Sequence, residues 1–160
     1  MKKLLIIGFV WPEPKSSAAG IRMMQLIDFF LSKGYQITFA SSSSKGNKSV
    51  NLAAKGIEEK IIELNHSSFD VFISKLNPSI VLFDRFMMEE QFGWRVTKQC
   101  PKALKILDTE DLHCLRKARE EAFKDNTLLN RDYLFGKIAK REIASIYRSD
   151  MSLIISKAEM

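Results

Sequence analysis

Between Asp108 and Arg116 the chain places three carboxylates, one imidazole and one guanidinium within nine residues: Asp108, Glu110, Asp111, His113 and Arg116. An imidazole in such company can hydrogen-bond a substrate hydroxyl or move a proton. Asp111 is a good helix N-cap, which puts His113 in the first turn, where the helix dipole disfavours a protonated ring. A neutral, hydrogen-bonding His113 is therefore expected; helix caps and plain surface charges are the alternative reading. A second stretch, Val10-Trp11-Pro12-Glu13-Pro14-Lys15-Ser16-Ser17-Ala18-Ala19-Gly20, ends in five small residues. Small side chains at a helix N-terminus let an anion reach free N–H groups. Arg22 adds charge there, and Glu13 and Lys15 add polar contacts. A simple strand-to-helix connection would read the same way. Gly8 lacks the G-x-G-x-x-G spacing of a dinucleotide fold, and no G-x-x-x-x-G-K-[ST] loop occurs. Asp84 and Arg85 form a third candidate; they could contact a polar substrate or pair with each other. No second His or Cys stands at ligand spacing from His113, so no metal site is expected. Glu89-Glu90 reads as a solvated helix face, and His66 as a loop residue without a role.

The elements that must position these residues alternate in period. Leu4 to Phe9 is a continuous apolar run, as in a strand covered on both faces. Gly20 to Lys33 carries Ile21, Met24, Ile27, Phe30 and Leu31 at helical spacing; Ser16 or Ser17 could cap it and Gly34 stops it. Gln36–Ala40 is a second strand, Ser41–Ser49 a polar loop, and Ile57–Leu64 holds a third strand. A helix capped by Ser67 or Ser68 runs to Leu76 and breaks at Asn77-Pro78. Ile80–Phe83 is a strand, Met87–Gln99 a helix, and Ala103–Leu107 a strand after Pro101. Helical pattern covers Leu112 to Ser149 with a break at Asp125-Asn126, and the stripe Phe135, Ile138, Ala139, Ile143, Ile146, Tyr147 is expected to face the core. Ser152–Ile155 is the sixth strand.

Strands separated by helices imply right-handed crossovers and a parallel sheet. The expected fold is α/β: a Rossmann-like doubly wound parallel sheet of about six strands in the order 3-2-1-4-5-6, three-layer α/β/α, as one domain over residues 1–160. Ligands of such sheets bind at the carboxyl ends of the strands, which selects the three candidate loops.

The chain has 160 residues and net charge +6, with nine Lys/Arg against four Asp/Glu in residues 1–60. This basic third could face an anionic membrane surface or a phosphorylated substrate, or be an ordinary solvated face. No basic stretch interleaved with aromatics points to nucleic acid. Cys100 and Cys114 read as reduced thiols of a cytoplasmic protein. The apolar start is followed by Trp11-Pro12-Glu13-Pro14 rather than a cleavage site, and no run approaches a membrane span.

The chain resembles the N-terminal domain of GT-B glycosyltransferases of the large glycogen-synthase-like, mostly retaining group. Three features carry the resemblance: the first strand followed by Trp11-Pro12 and a small-residue loop into Ile21-Arg22; the segment Asp108 to Arg116, which looks like the family's Asp-x-x-Asp-x-His; and Ser149 to Ser156, similar to its Asp-then-strand-then-Ser run. The resemblance implies sugar transfer from a nucleotide-sugar donor to a saccharide or lipid-linked acceptor, with no cofactor and no metal. It implies that the loop Ser17, Ala18, Ala19, Gly20 approaches the donor diphosphate, with amides from Ala19 and Gly20. His113 would face the transferred sugar, and Asp111 and Arg116 would support that site. It further implies a C-terminal nucleotide-sugar domain as partner, without which donor binding is weak and turnover absent. The family loop often has consecutive glycines, whereas Ser17-Ala18-Ala19 precede a lone Gly20 here.

Ser156-Lys157-Ala158-Glu159 fits a capping box and so announces a helix, from which the natural protein is expected to continue; a frayed terminus is the alternative. A non-enzymatic flavodoxin-like or receiver-like module is the competing function, but acidic residues do not follow the first strand. A nucleotide-cofactor enzyme such as a sugar epimerase would want the missing glycine fingerprint.

Overall fold

Leu4, Leu5, Ile6 and Ile7 are all fully buried, which a strand achieves only when both sheet faces are covered. Alternation divides them: Leu4 and Ile6 pack with Ile27 and Phe30, whereas Leu5 and Ile7 pack with Phe69, Phe92 and Val96. In the computed structural model, which describes residues 2–157, this strand is β1 (Lys3–Gly8). It is followed by α1 (Ala18–Ser32), β2 (Gln36–Ser41), a 3₁₀ turn (Ala53–Lys55), β3 (Glu58–Ile61), α2 (Ser68–Leu76), β4 (Ile80–Asp84) and α3 (Phe86–Gln99). Then come β5 (Leu104–Asp108), α4 (His113–Lys124), α5 (Arg131–Leu134), α6 (Lys137–Arg148) and β6 (Met151–Leu153).

The six strands form one parallel sheet in the order β3-β2-β1-β4-β5-β6. This is the doubly wound, three-layer α/β/α arrangement and strand order that the alternating pattern predicts. The α1 helix covers one face, and α2 and α3 cover the other. Strand order reverses between β1 and β4, so the loops at their carboxyl ends diverge and leave a crevice.

The helix ends have local causes. Ser17 is extended (φ −147°, ψ 145°) and its Oγ accepts the Gly20 N–H, capping α1. Gly34 at φ 75° takes the chain out of that helix in the left-handed region open to glycine. Asn77 at φ 46° does the same after α2. Neither Ser67 nor Ser68 caps α2 through its side chain as expected: Ser67 is its N-cap residue without a side-chain bond, and the Ser68 N–H donates to His66 Nδ1. The helical run after β5 breaks at Asn126 (φ 53°), and Asn130 caps the short α5.

The stripe expected to face the core from α6 does so only in part. Ala139 is buried, but Phe135, Ile143 and Tyr147 are exposed. The buried positions of α6 are Ala139, Glu142 and Ser145. This helix turns polar residues inward because they have partners there: Ser145 Oγ donates to the Phe86 carbonyl, and Arg148 reaches Glu89. The capping box at Ser156–Glu159 extends beyond the described residues.

Candidate functional site

At the end of β1 the Phe9 N–H donates to Asp84 Oδ2 at 3.0 Å, tying the first loop to the end of β4. Burial pushes the Asp84 carboxyl up to about 6; Arg85 opposes this and the register neighbour Asp108 adds to it. The loop then enters the core through Trp11, whose indole N–H donates to the Ser43 carbonyl and whose ring lies 5.4 Å from Phe39. The Glu13 carbonyl accepts both the Ser16 and Ser17 N–H groups, and its carboxylate takes the hydroxyls of Ser16 and Ser49. Lys15 is exposed and has no hydrogen bond among the described residues.

Gly20 has a different role from the one its sequence context implies. A Cβ there would lie 2.5–2.8 Å from the Glu13 backbone, so the missing side chain makes room for the loop rather than for a ligand. Its amide is also committed, to Ser17 Oγ at 3.0 Å. The open donors at this helix start are instead Ala18 and Ala19, whose N–H groups have no acceptor among the described residues. Ala19 lines a cleft of 280 Å³ bordered by Trp11, Glu13, Ser17, Gly20, Asp84 and Arg85, and Ala18 is exposed beside it.

At the end of β5, Asp108 is buried and receives the Arg22 guanidinium through two nitrogens, at 2.6 and 3.0 Å. The two residues were expected to meet substrate; they bind each other and lock α1 to β5. Asp84 and Arg85 stand 3.7 Å apart, but the main partner of Arg85 is Glu110, at 3.0 Å. Arg85 also lies over the Phe9 ring at 5.1 Å. Its backbone (φ 71°, ψ 157°) occupies a region normally reserved for glycine, and Glu110 too has positive φ, 63°. The Arg85 N–H holds the Asp108 carbonyl at 2.8 Å, so the turns after β4 and β5 are fixed to each other by backbone and side chain together.

Asp111 does not cap α4. The N-cap residue is Leu112, without a side-chain bond. The caps come from Glu142 on α6, whose two oxygens accept the His113 N–H at 3.1 Å and the Cys114 N–H at 2.8 Å. A carboxylate at a helix N-terminus is favourable for the same dipolar reason as a local cap. Asp111 instead stands 3.4 Å from His113 Nε2 and 3.3 Å from Arg116 Nε. Glu142 lies 4.0 Å from His113 Nδ1, and Phe86 meets the imidazole edge-on at 5.5 Å. His113 thus has three near neighbours, none hydrogen-bonded to its ring among the described residues, and burial, ahead of any charge, moves its pKa below the ordinary value, with Asp111 opposing. That direction favours a neutral ring, with burial rather than the helix dipole as the main cause. The Cys114 thiol is pushed up to about 12 by burial and by Glu142, which rules it out as a thiolate nucleophile at neutral pH.

Glu110, Asp111 and His113 bring ligand atoms within 4.8 Å of one another. Both carboxylates already face arginine, Arg85 and Arg116, which weakens their pull on a divalent ion. A second cleft, of 410 Å³, starts at His113 and continues between α4 and α6 past Phe86, Arg116, Ile138 and Arg141. A further hollow, of 590 Å³, lies at the β3–α2 edge and holds none of the residues selected from sequence. Glu142 is the neighbour of His113 that the sequence does not single out. Its one signal is a lone carboxylate inside the apolar stripe of α6.

No protein-family model matches the chain, and no curated protein matches it. Solved structures do. One is described as a UDP-N-acetylglucosamine 2-epimerase from Listeria monocytogenes: TM-score 0.57, 14% identity, covering 98% of this chain and 40% of that one. Another is an α-glucosyltransferase in complex with UDP and a 13-mer DNA containing a HMU base: TM-score 0.53, 11% identity, covering 94% of this chain and 36% of that one. The chain therefore spans about two fifths of the length of these proteins. At such identities the likeness is one of fold: a Rossmann-like domain matching part of neighbours whose fold is of the GT-B type, in line with the sequence resemblance.

Proposed function

We propose that the chain is the acceptor-side half of a glycosyltransferase that moves a sugar from a nucleotide-sugar donor to a saccharide or lipid-linked acceptor. The observation that carries this reading is the pairing, at one end of the sheet, of two open amides at the α1 start with a half-buried imidazole at the α4 start. The Ala18 and Ala19 amides suit the diphosphate of a donor. His113 suits a sugar hydroxyl, with Asp111 and Arg116 fixing its surroundings. Asp108, Arg22, Asp84 and Arg85 act by holding the two loops in place; Glu13 braces the first loop, and Lys15 is free to meet an anion. Catalysis on this reading is positioning and stabilisation of the departing diphosphate, shared with a second domain. Neither a cofactor nor a metal is required. A cytoplasmic site is the natural place for a nucleotide-sugar enzyme.

The solved neighbour described as a 2-epimerase favours a second reading on the same fold, in which the nucleotide sugar is isomerised and no acceptor is used. One assay separates the two. The chain is expressed together with whatever its gene encodes after Met160, and a panel of nucleotide sugars is followed for nucleoside diphosphate release, with and without saccharide acceptors. Sugar transfer predicts acceptor-dependent release that His113→Ala lowers at least about a hundredfold. Acceptor-independent conversion would favour the epimerase reading, and no turnover of any donor would overturn both.

A further inference from the structure

The connection from α4 to α6 carries an unusual concentration of exposed apolar side chains. Phe123 is 85% exposed, Leu128 90%, Phe135 68% and Leu129 40%, all within thirteen residues. This tip is folded rather than loose. The Thr127 N–H donates to the Ala122 carbonyl at 2.9 Å, Tyr133 donates to Asp125 at 2.7 Å, and Asn130 caps α5. The apolar groups are therefore presented by a built structure, and leaving them in water costs free energy in proportion to their area.

Cations surround them. Residues 116–141 hold eight Lys/Arg against four Asp/Glu. Arg119, Arg131, Lys137 and Lys140 make no ion pair among the described residues, while Lys117 and Lys124 share Glu120. Apolar side chains at the centre and unpaired cations at the rim are the complement of an anionic bilayer surface, where acyl chains take the first and headgroup phosphates the second.

We propose that the α4–α5 tip docks the protein on anionic lipid, with Phe123, Leu128 and Phe135 entering the interface and Arg131 and Lys137 meeting phosphate. No helix is long and apolar enough to cross a membrane, so the attachment is peripheral. The basic N-terminal third, which charge counting favours, is not the docking face on this view. Its cations are spread over several elements without an exposed apolar cluster of this density. The twelve residues of α4 set the tip about 18 Å from His113, and the cleft between α4 and α6 leads along that path. Only this last connection rests on the transferase reading; lipid docking stands without it.

The test is flotation of the purified chain with vesicles of phosphatidylcholine alone and of phosphatidylcholine with 30 mol% (roughly physiological anionic content) phosphatidylglycerol. Binding is expected only to the anionic vesicles. It should fall at least about tenfold in Phe123→Ser/Leu128→Ser/Phe135→Ser and, separately, in Arg131→Glu/Lys137→Glu. Lys33→Glu/Lys48→Glu should bind as the native chain does. All these positions are exposed, so far-UV dichroism and Tm of each variant are expected to match the native values. Phe123→Trp supplies a second readout, an emission blue shift on anionic vesicles alone. Three results would overturn the proposal: no binding to anionic vesicles, binding lost in the N-terminal variant but kept in the tip variants, or a concentration-dependent dimer abolished by the tip substitutions, which would make the tip a protein interface.

Discussion

Two helices, α1 and α4, begin at the same end of the same sheet, and they begin differently. The α1 start is completed within its own segment: Ser17 caps Gly20 three residues on, and Glu13 braces the loop from four residues back. The α4 start is completed from elsewhere, by Glu142, which lies 29 residues beyond His113. In consequence α1 keeps two amides open at Ala18 and Ala19, whereas the first amides of α4 are already filled by a carboxylate. One start is open to an external anion, and the other presents a side chain, His113, half-buried at the head of a cleft. The same secondary-structure event thus yields a place for charge in one case and a place for a neutral hydrogen-bonding group in the other.

The largest effect is expected from removing the remote cap. Glu142→Ala leaves two part-buried amides without an acceptor and should cost about 2–4 kcal/mol in denaturant unfolding. Glu142→Gln retains an acceptor oxygen and should cost clearly less. Equal losses would mean that Glu142 acts through packing alone. Gly20→Ala comes next, since its Cβ must displace the Glu13 backbone; about 1–3 kcal/mol is expected, together with altered loop chemical shifts. Ser17→Ala removes the local cap and should cost about 1 kcal/mol.

The smallest effect is a pH dependence. His113 has its pKa lowered in the folded state from an ordinary value of 6.5. Between those two values the unfolded chain binds the extra proton, so stability from this residue is present above pH 6.5 and declines as pH falls through that window. His113→Phe should flatten that decline in a series of urea melts taken from pH 7.5 downward. An unchanged slope would mean the imidazole is not held neutral by burial.

These two starts also mark how far the sequence could be read. The α1 cap, its glycine stop and the strand order all follow from contacts close in sequence or from period, and they appear where those signals put them. The reading failed where a partner came from another element. Asp111 has the right residue type for a cap, but Glu142 already fills the amides it would serve. Arg22 and Asp108 look like substrate contacts until the fold brings α1 beside β5 and they neutralise each other. The α6 stripe departs from expectation for the same reason: its polar residues have partners on α3 and α4, so Phe135, Ile143 and Tyr147 face outward. Of the candidate site, the loops were legible and the division of labour inside them was not.

The central claim is that the open amides of α1, and not the filled amides of α4, receive a donor diphosphate. A titration of isotope-labelled chain with uridine and guanosine diphosphates, followed by amide chemical shifts, tests it directly, because weak binding is still visible. Saturable shifts at Ala18 and Ala19, with the His113 and Cys114 backbone amides unmoved, are the predicted result. Shifts centred on His113 and Cys114, or none that saturate near Ala18 and Ala19, would contradict it.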